Sequence, residues 1–341
     1  MFKKIQKVLM ILFAAGMLVV GVILGDYYLY PSLVHPSMAN FNQNKNGLWL
    51  GSKWYMGKVS DADFETIANL IKKEHIHYAF FHCKDINKLG NLRIPSEAGA
   101  KRLVSKLHET CPGVKIMVWM GALGTGFGGE VDESKEDVRK NMASSACNLV
   151  KAGGFDGFQW DLEPVGDNNS NYLDLLDRTR QLLPKDKILS ICAPGFGFNW
   201  SPSYIEEVSK RCDQIALMAY DTGMWLPRLY VSKMESLIKL YANAIASSKS
   251  QCKLLVGVPA YEDVTLGHHA HAESIELALV GVKNAMQNKE ITSNVIEGVA
   301  PYAEYTTDAS EWQTYEKYWL QTGAQQSLGA GGEPPESEPS S

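Results

Sequence analysis

Two carboxylic acids stand two positions apart in one short, largely apolar segment. From Phe155 to Pro164 the chain reads Phe-Asp-Gly-Phe-Gln-Trp-Asp-Leu-Glu-Pro. Because side chains alternate between the two faces of a strand, Asp161 and Glu163 share one face with Gln159. Two acids this close repel each other when both are ionised, which raises the pKa of one of them. The spacing predicts a proton donor at Glu163, nearer the strand end, with Asp161 as its deeper partner.

The other face of this segment is apolar, with Phe158, Trp160 and Leu162. These side chains suit packing against helices, so Gln159 and Asp161 must point into a protein interior. A buried polar group without a partner costs about 1–3 kcal/mol. We therefore interpret this row of polar residues as functional rather than structural.

Short apolar runs alternate with amphipathic helical patterns eight times. Strands are predicted at Gly47–Tyr55, His77–His82, Lys115–Met120, Phe155–Asp161, Lys187–Cys192, Gln214–Tyr220, Lys253–Pro259 and Glu297–Tyr302. Helices are predicted at Asp61–Glu74, Ser96–Glu109, Ser134–Lys151 (with Asp132 as its cap), Asn171–Leu183, Ser203–Lys210, Lys233–Ser248, Glu273–Asn288 and Ser310–Leu320. Strict alternation predicts a single α/β domain, a (β/α)₈ TIM barrel. The alternative is an open doubly wound sheet, although the turn after the first strand is not a glycine-rich phosphate turn.

In a TIM barrel the reactive groups lie at the carboxyl ends of the strands. Aromatic residues and carboxylates alternate at these ends. Flat aromatic faces stack on sugar rings and polar edges bind hydroxyl groups, so the pattern favours a carbohydrate site. The predicted substrate-binding residues are Trp54, Trp119, Tyr261, Glu262, Tyr302 and Glu304.

The chain divides into four predicted parts: an anchor at 1–25, a linker at 26–46 with a polar spacer from Ser32 to Asn46, the barrel at 47–321 and a disordered tail at 322–341. Residues 8–25 are uncharged and just long enough to cross a bilayer. The lysines before them and Asp26 after them predict a cytoplasmic N-terminus and a barrel outside the cytoplasm. The alternative is a signal peptide that is cleaved, which leaves a secreted barrel.

The net charge of −5 argues against nucleic-acid binding, which needs a basic surface. His268, His269 and His271 have a loose spacing and are interpreted as part of a loop that is either solvated or at the rim of the substrate site. We expect neither a metal ion nor a cofactor.

Six cysteines are compatible with an exported protein. Cys212 and Cys252 precede neighbouring predicted strands, which makes a bridge between them plausible, and Cys111 with Cys147 is a weaker pair. Six unpaired buried thiols are an equally open alternative.

The fourth-strand segment resembles the signature of family 18 glycoside hydrolases, Asp-x-x-Asp-x-Asp-x-Glu, with Asp156, Gln159, Asp161 and Glu163 in the four positions. The sixth strand, Gln-Ile-Ala-Leu-Met-Ala-Tyr-Asp, is similar to the Gln-x-Met-x-Tyr-Asp motif of that family and supplies Met218, Tyr220 and Asp221. The resemblance to this chitinase-like and endo-N-acetylglucosaminidase-like family is compatible with Gly47 to Leu320.

The resemblance implies hydrolysis of a β-linked N-acetylhexosamine glycan, in which the acetamido group of the substrate is the nucleophile. Glu163 would protonate the glycosidic oxygen and later activate water. Asp161 would orient the acetamido N–H, Tyr220 would donate a hydrogen bond to the acetamido oxygen, and Asp221 would shape the floor of the sugar site. The supporting residues would be Asp156, Gln159, Met218 and Asp221.

The chain departs from the family pattern in three places. Gln159 replaces an aspartate, and we expect its amide to donate to Asp161 and to hold it anionic. The third strand reads Trp-Met-Gly-Ala from Trp119 instead of Ser-x-Gly-Gly. The last strand ends Tyr302-Ala-Glu-Tyr, without the tryptophan that floors the sugar site in the family.

Two other functions stay open. A retaining glycosidase with two carboxylates would use Glu163 and Glu262, and it requires about 5–5.5 Å between them. A barrel that binds carbohydrate without cleaving it is the second, although the presence of Glu163 argues against it.

Overall fold

A computed structural model of the chain describes residues 2–94, 96–195, 200–263 and 267–322. It consists of one long N-terminal helix followed by eight strands that alternate with helices. The strands are β1 (Asn46–Leu50), β2 (Ile76–His82), β3 (Lys115–Leu123), β4 (Gly157–Glu163), β5 (Ile188–Pro194), β6 (Gln214–Met218), β7 (Lys253–Pro259) and β8 (Ile296–Tyr302). The helices are α1 (Phe2–Leu33), α2 (Asp61–Lys73), α3 (Glu97–Thr110), α4 (Glu136–Gly153), α5 (Ser170–Leu182), α6 (Pro202–Ser209), α7 (Pro227–Ser248), α8 (Ile275–Gln287) and α9 (Ala309–Tyr315), the last continued by a π-helical turn at Glu316–Leu320.

The strands form one parallel sheet in the order β1 to β8, and β8 returns to the side of β1. There the backbone N–H of Glu304 donates to the carbonyl oxygen of Trp49 at 2.9 Å. The sheet is thus a nearly closed barrel with helices around it, which confirms the predicted (β/α)₈ fold. Short strands that are apolar on both faces are stable only in such an arrangement, buried between the helices and the interior.

The core has two layers, one inside the barrel and one between the barrel and the helices. On β4, Phe158, Trp160 and Leu162 belong to the outer layer, where the indole N–H of Trp160 donates to Oγ1 of Thr179 on α5 at 3.0 Å. Gln159 lies inside, fully buried. The predicted division of β4 into an apolar outer face and a polar inner face is confirmed.

The first strand is shorter than predicted, so Trp54 lies after the strand and not at its end. The chain turns after Leu50, with Gly57 in the left-handed region at φ 67°. Trp54 therefore packs in the outer core against Phe64 of α2, with ring centroids 5.7 Å apart. The tryptophan of this strand that lies inside the barrel is Trp49.

The segment predicted as a linker, 26–46, is partly helical and packs against the barrel. Helix α1 continues to Leu33, and the residues that follow lie along α8. There the ammonium group of Lys283, 1% exposed, donates to the carbonyl oxygens of Ser37 and Ala39 at 2.7 and 2.9 Å. The segment Lys4–Leu33 is long and apolar enough to cross a membrane, with a mean hydropathy of 2.8. Of the predicted tail, residues 323–341 lie outside the described residues.

Two helix starts differ from the prediction. Helix α4 begins after Lys135, and Asp132, the predicted cap, accepts the hydroxyl and backbone N–H of Ser134 instead. Helix α7 begins at Pro227, six residues before the predicted Lys233, because proline at the first position of a helix is preset for the helical φ.

The six cysteines are buried and unbridged. Sγ of Cys212 and Sγ of Cys252 lie 3.8 Å apart, so the pair favoured by the sequence is adjacent in space. Cys111 and Cys147 contact different carbonyl oxygens, those of Ala68 and Thr179, and do not form a pair.

Candidate active site

A cavity of about 390 Å³ opens at the carboxyl ends of the strands. Predicted site residues that line it are Glu163, Met218, Tyr220 and Asp221; other lining residues include Phe127, Cys192 and Pro194. A second cavity of about 350 Å³ is lined by Asp85, Arg93, Asp161 and Glu163. Glu163 thus lies between the two cavities, and its carboxyl group is accessible to a molecule that fills them.

Glu163 ends β4, directly beside Leu123 of β3 in the sheet. Its carbonyl oxygen accepts the backbone N–H of Gly124 at 2.7 Å, which fixes the strand end. Burial, together with the smaller effects of the negative charges of Asp161 and Asp221, raises the pKa of Glu163 to about 7. The predicted upward shift is confirmed, and burial, rather than repulsion by Asp161, is its larger cause.

Asp161 is held by a tryptophan of the neighbouring strand. The indole N–H of Trp119 donates to Oδ2 of Asp161 at 2.8 Å. Oδ1 is buried and has no hydrogen-bond partner within the described part of the chain. Burial raises the pKa of Asp161, and the bond from Trp119 opposes this shift by stabilising the anion. Asp161 therefore presents one oxygen that is ready to accept a donor.

The expected hydrogen bond from Gln159 to Asp161 is absent among these contacts. Oε1 of Gln159 accepts the indole N–H of Trp49 at 2.8 Å, and its amide donates to Oγ of Ser190 at 3.0 Å. An indole N–H can only donate, so it fixes which end of the amide faces Trp49. Ser190 in turn donates to Gln214 at 2.9 Å. The expectation was wrong because partners from β1 and β5 engage both ends of the Gln159 amide.

Aromatic rings surround the space above Asp161. The ring of Tyr302 stacks on that of Tyr220, with centroids 5.0 Å apart and planes at 27°. It meets the rings of Trp49, Trp119 and Tyr261 edge-on at 5.7, 6.1 and 6.0 Å. Trp49 was missed from the sequence, although the period-two pattern of β1 places it on the same face as Gly47 and could have identified it.

The rim of the cavity is ordered by a hydrogen bond between two predicted site residues. The hydroxyl group of Tyr261 donates to Oδ1 of Asp221 at 2.6 Å. Asp221 adopts a left-handed backbone conformation with φ 53°, which turns the chain sharply after β6. Asp221 therefore lies beside Tyr220 and faces the loop that follows β7.

Asp156 and Trp54 were predicted as site residues, but neither lies at this cavity. Asp156 precedes β4, at the opposite end of the barrel from Glu163, and its Oδ2 faces Nε2 of His108 at 2.8 Å and accepts the backbone N–H of Ile116 at 2.9 Å. Trp54 is buried in the outer core. Asp156 thus joins β4 to its neighbours, and Trp54 packs beneath α2.

Glu262 and Glu304 lie in the loops that follow β7 and β8, and their neighbours differ from those of Glu163. Glu262 is exposed and lines a separate cavity with Glu276 and Glu311, whose lining has no residue in common with that of the main cavity. The carboxylate of Glu304 is 3.0 Å from the ammonium group of Lys53. Glu304 therefore bridges the loops after β8 and β1.

The three histidines after β7 do not share one environment. His268 is fully buried, with its ring 4.1 Å from that of Tyr261, so this residue lies at the rim of the site and not in solvent. His271 is exposed, and its Nε2 lies 2.6 Å from the carbonyl oxygen of Tyr27. In the part of the chain that the structure describes, no three His, Cys, Asp or Glu side chains are grouped to hold a metal ion.

A parallel eight-stranded barrel with an acidic pair at the end of its fourth strand, ringed by aromatic side chains, is the architecture of a glycosidase. Residues 52–326 match the model of glycosyl hydrolases family 18. The chain belongs to this family, and its catalytic domain is that of a glycosidase.

Solved structures agree with this fold. A chitinase from Bacteroides thetaiotaomicron is 15% identical with a TM-score of 0.56 over 82% of this chain and 97% of that one. The spore cortex-lytic enzyme SleL of Bacillus cereus is 11% identical with a TM-score of 0.55 over 81% of this chain and 74% of that one. At these identities the likeness concerns the fold alone.

One curated relative, a secreted chitinase named LysM12 from Penicillium expansum, is 36% identical over 100 residues. The aligned stretch is 26% of this chain and 7% of that protein. The match is thus local, and this chain corresponds to only a small part of that relative.

Proposed function

We propose that the protein hydrolyses β-linked N-acetylhexosamine glycans, with Glu163 as general acid and base and the acetamido group of the substrate as nucleophile. The observation that carries this proposal is the position of Glu163, in a sugar-sized cavity with a pKa of about 7 beside Asp161. A carboxyl group with this pKa can donate a proton near neutral pH and then take one back.

In the first step Glu163 transfers its proton to the glycosidic oxygen while the bond from that oxygen to the anomeric carbon breaks. The acetamido carbonyl oxygen forms the new bond to the anomeric carbon and closes a positively charged five-membered ring. Oδ1 of Asp161 has the open acceptor position that the acetamido N–H of this ring requires. In the second step water attacks the anomeric carbon while its bond to the acetamido oxygen breaks, and the water gives a proton to Glu163. Each step inverts the anomeric carbon, so the configuration is retained overall.

The proton of the acidic pair rests on Glu163 in this scheme. Burial favours the neutral form of both acids. The charge-assisted bond from Trp119 opposes this effect at Asp161, whereas the charges of Asp161 and Asp221 add to it at Glu163. An anionic Asp161 also stabilises the positive charge of the ring intermediate. Asp161 thus performs the role that the family resemblance implies, with Trp119 rather than Gln159 as its support.

The aromatic residues supply binding and one hydrogen bond. Burial raises the pKa of Tyr220 well above its ordinary value, so its hydroxyl group keeps the proton that it donates to the acetamido oxygen. The stacked ring of Tyr302 provides an apolar floor where the family has a tryptophan. Met218 and Cys192 complete the wall of the cavity.

The decisive variant is Glu163→Gln, assayed with chitotetraose. We expect kcat to fall by about 10²–10⁴-fold with binding retained, because the amide keeps the shape of the side chain and cannot donate an acidic proton. Glu262→Gln is the matched control, and its kcat should stay near that of the wild type. A large loss in Glu262→Gln would favour the mechanism with two carboxylates, and a wild-type protein that binds chitotetraose without cleaving it would favour a binding barrel.

We also propose that α1 anchors the barrel to a membrane, with the N-terminus in the cytoplasm and the barrel outside. The length and hydropathy of the segment Lys4–Leu33, and the lysines at its start, support this arrangement. Mass spectrometry of the protein recovered from membranes tests it. A mature chain that begins after residue 25 and appears in the medium would establish the secreted form instead.

A further inference from the structure

The end of α1 is attached to the barrel beside the active-site face. Asp26 of α1 pairs with Arg228, with Nε and Oδ1 2.9 Å apart, and the ring of Tyr30 lies 4.6 Å from the same guanidinium group. Arg228 is the second residue of α7. Each helix of a (β/α)₈ barrel begins where the preceding strand ends, so the start of α7 lies at the same face as Glu163. The membrane-proximal end of α1 is thus held at the catalytic face.

Two further contacts attach α1 and the next residues to the start of α8. The ring of Tyr27 lies 4.2 Å from that of His271, and Nδ1 of His35 is 2.8 Å from Oε1 of Glu276. His271 and Glu276 line one cavity together with Tyr261, which bonds to Asp221 in the active site. The attachment therefore lies beside a cavity that reaches the active-site rim at Tyr261.

The direction of the chain shows on which side of the barrel the apolar helix projects. After His35 the chain runs along α8, past Lys283, to Gln287 at the end of that helix, whose amide donates to Oγ of Ser37 at 2.7 Å. Further on, the amide of Gln43 donates to the carbonyl oxygen of Ile296, where β8 begins. The segment thus descends from the catalytic face to the opposite face. The residues before Asp26 therefore leave the barrel at its catalytic face, and 18 helical residues cover about 27 Å.

Exposed apolar side chains of the barrel are concentrated on the same face. In the described residues from 46 to 322, the large hydrophobic side chains that are exposed are Leu89, Ile94, Leu123, Phe127, Leu182, Trp225, Leu229 and Tyr305. All of these except Leu182 lie at the end of a strand, in the loop that follows it or in the first turn of the next helix. A surface of this composition suits the headgroup region of a bilayer, where aromatic and apolar side chains are stable.

We propose that α1 holds the catalytic face toward the bilayer, and that the substrate is an N-acetylhexosamine glycan attached to a membrane lipid. This inference rests on the proposed hydrolase activity and on the proposed anchor. A glycan linked to lipid in the same membrane meets the cleft at a high effective concentration, whereas a free glycan does not. The surface therefore favours cleavage at the membrane over cleavage in solution.

The orientation is tested by energy transfer from a dye on the barrel to an acceptor on lipid headgroups. Full-length Lys88→Cys carries the dye in the loop after β2 on the catalytic face, and Asp186→Cys carries it before β5 on the opposite face; the native cysteines are buried and do not compete for labelling. In vesicles, we expect clearly higher transfer from position 88 than from position 186. Equal transfer, or higher transfer from position 186, would overturn the orientation.

The substrate class is tested with chitotetraose, either free or coupled to a lipid in the vesicles that hold the enzyme. We expect the wild type to cleave the lipid-linked form at least about tenfold faster at equal bulk concentration. Arg228→Gln should reduce this ratio several-fold and leave the rate on free chitotetraose unchanged. Lys210→Gln, which breaks an exposed ion pair with Glu207 on α6, is the matched control and should leave both rates unchanged.

Each failure has a distinct meaning. Equal rates on the two forms of chitotetraose would overturn the assignment of a lipid-linked substrate. Cleavage of neither form would overturn the proposed hydrolase function and the substrate class with it, while the energy-transfer measurement would still decide the orientation.

Discussion

The indole N–H of Trp119 donates to Oδ2 of Asp161 across the β3–β4 pair at 2.8 Å. This contact gives Asp161 a fixed direction in a place where the family signature would supply a neighbouring aspartate and this chain has Gln159. The side-chain amide of Gln159 bonds to Trp49 and Ser190 rather than to the acidic pair. The departures from the family pattern on β3 and β4 therefore compensate for each other. Trp119 donates the hydrogen bond to Asp161 that Gln159 does not donate.

Trp119→Phe keeps an aromatic ring and removes the donor. A hydrogen bond to a charged group contributes about 1.5–3 kcal/mol, so we expect kcat for chitotetraose to fall by roughly 10- to 100-fold. The pKa of Asp161 should rise when the bond is lost, which moves the acidic limb of the pH–rate profile to higher pH. Trp160→Phe, which removes an indole bond outside the barrel, is the matched control. A profile that shifts equally in both variants would contradict the role of Trp119.

Activity should decline as the pH rises through about 7, because Glu163 must be protonated to act as the acid. Asp221→Asn removes a negative charge that raises the pKa of Glu163, so the alkaline limb of kcat/KM should move to lower pH. Asp213→Asn, at the opposite end of the barrel, serves as the control. An alkaline limb that stays in place or moves upward in Asp221→Asn would contradict the electrostatic argument.

Gln159→Asp restores the family residue at this position, yet we expect it to destabilise this protein. Its carboxylate is shorter than the amide and cannot donate to Ser190, and it brings a charge into a fully buried position. The free energy of unfolding in urea should fall by about 1–3 kcal/mol. Gln313→Asp, at an exposed position on α9, should change it by less than about 0.5 kcal/mol. An active variant with wild-type stability would show that the Gln159 network is dispensable.

The buried carboxyl group of Glu74, directly after α2, should make the free energy of unfolding depend on pH. This effect is independent of catalysis. Its burial raises its pKa to about 7, above the ordinary value near 4.5. The folded state therefore holds a proton that the unfolded state releases between these values, and stability falls as the pH rises from about 4.5 to 7. Urea unfolding at pH 5 and pH 8 measures this loss. Glu74→Gln should show a smaller loss than the wild type, and an unchanged loss would exclude Glu74 as its source.

The alternation of strands and helices was predictable because each short segment has a local hydrophobic pattern typical of a strand or of a helix. β7 was predicted with the correct bounds, Lys253–Pro259, and the inner and outer faces of β4 follow from alternation alone. The end of β1 was not predictable in the same way. The turn after Leu50 decides whether Trp49 or Trp54 enters the barrel, and a tryptophan fits either place.

Contacts between residues that are distant in sequence were the second feature that the sequence did not predict. Gln159 bonds to residues 110 and 31 positions away, and local spacing pointed instead to Asp161, two positions along the same strand. The attachment of residues 26–39 to α7 and α8 was hidden for the same reason. The prolines and serines of this stretch resemble those of a linker, and only the fold brings Arg228 and Lys283 to it.

A crystal structure with a thiazoline derived from N-acetylglucosamine measures the central claim most directly, since this compound imitates the ring intermediate. The account predicts the thiazoline in the cavity beside Glu163, with Oδ1 of Asp161 about 2.7–3.2 Å from the ring nitrogen and the ring of Tyr302 beneath the sugar. A thiazoline bound elsewhere, or an Asp161 carboxylate turned away from it, would contradict catalysis by the acetamido group.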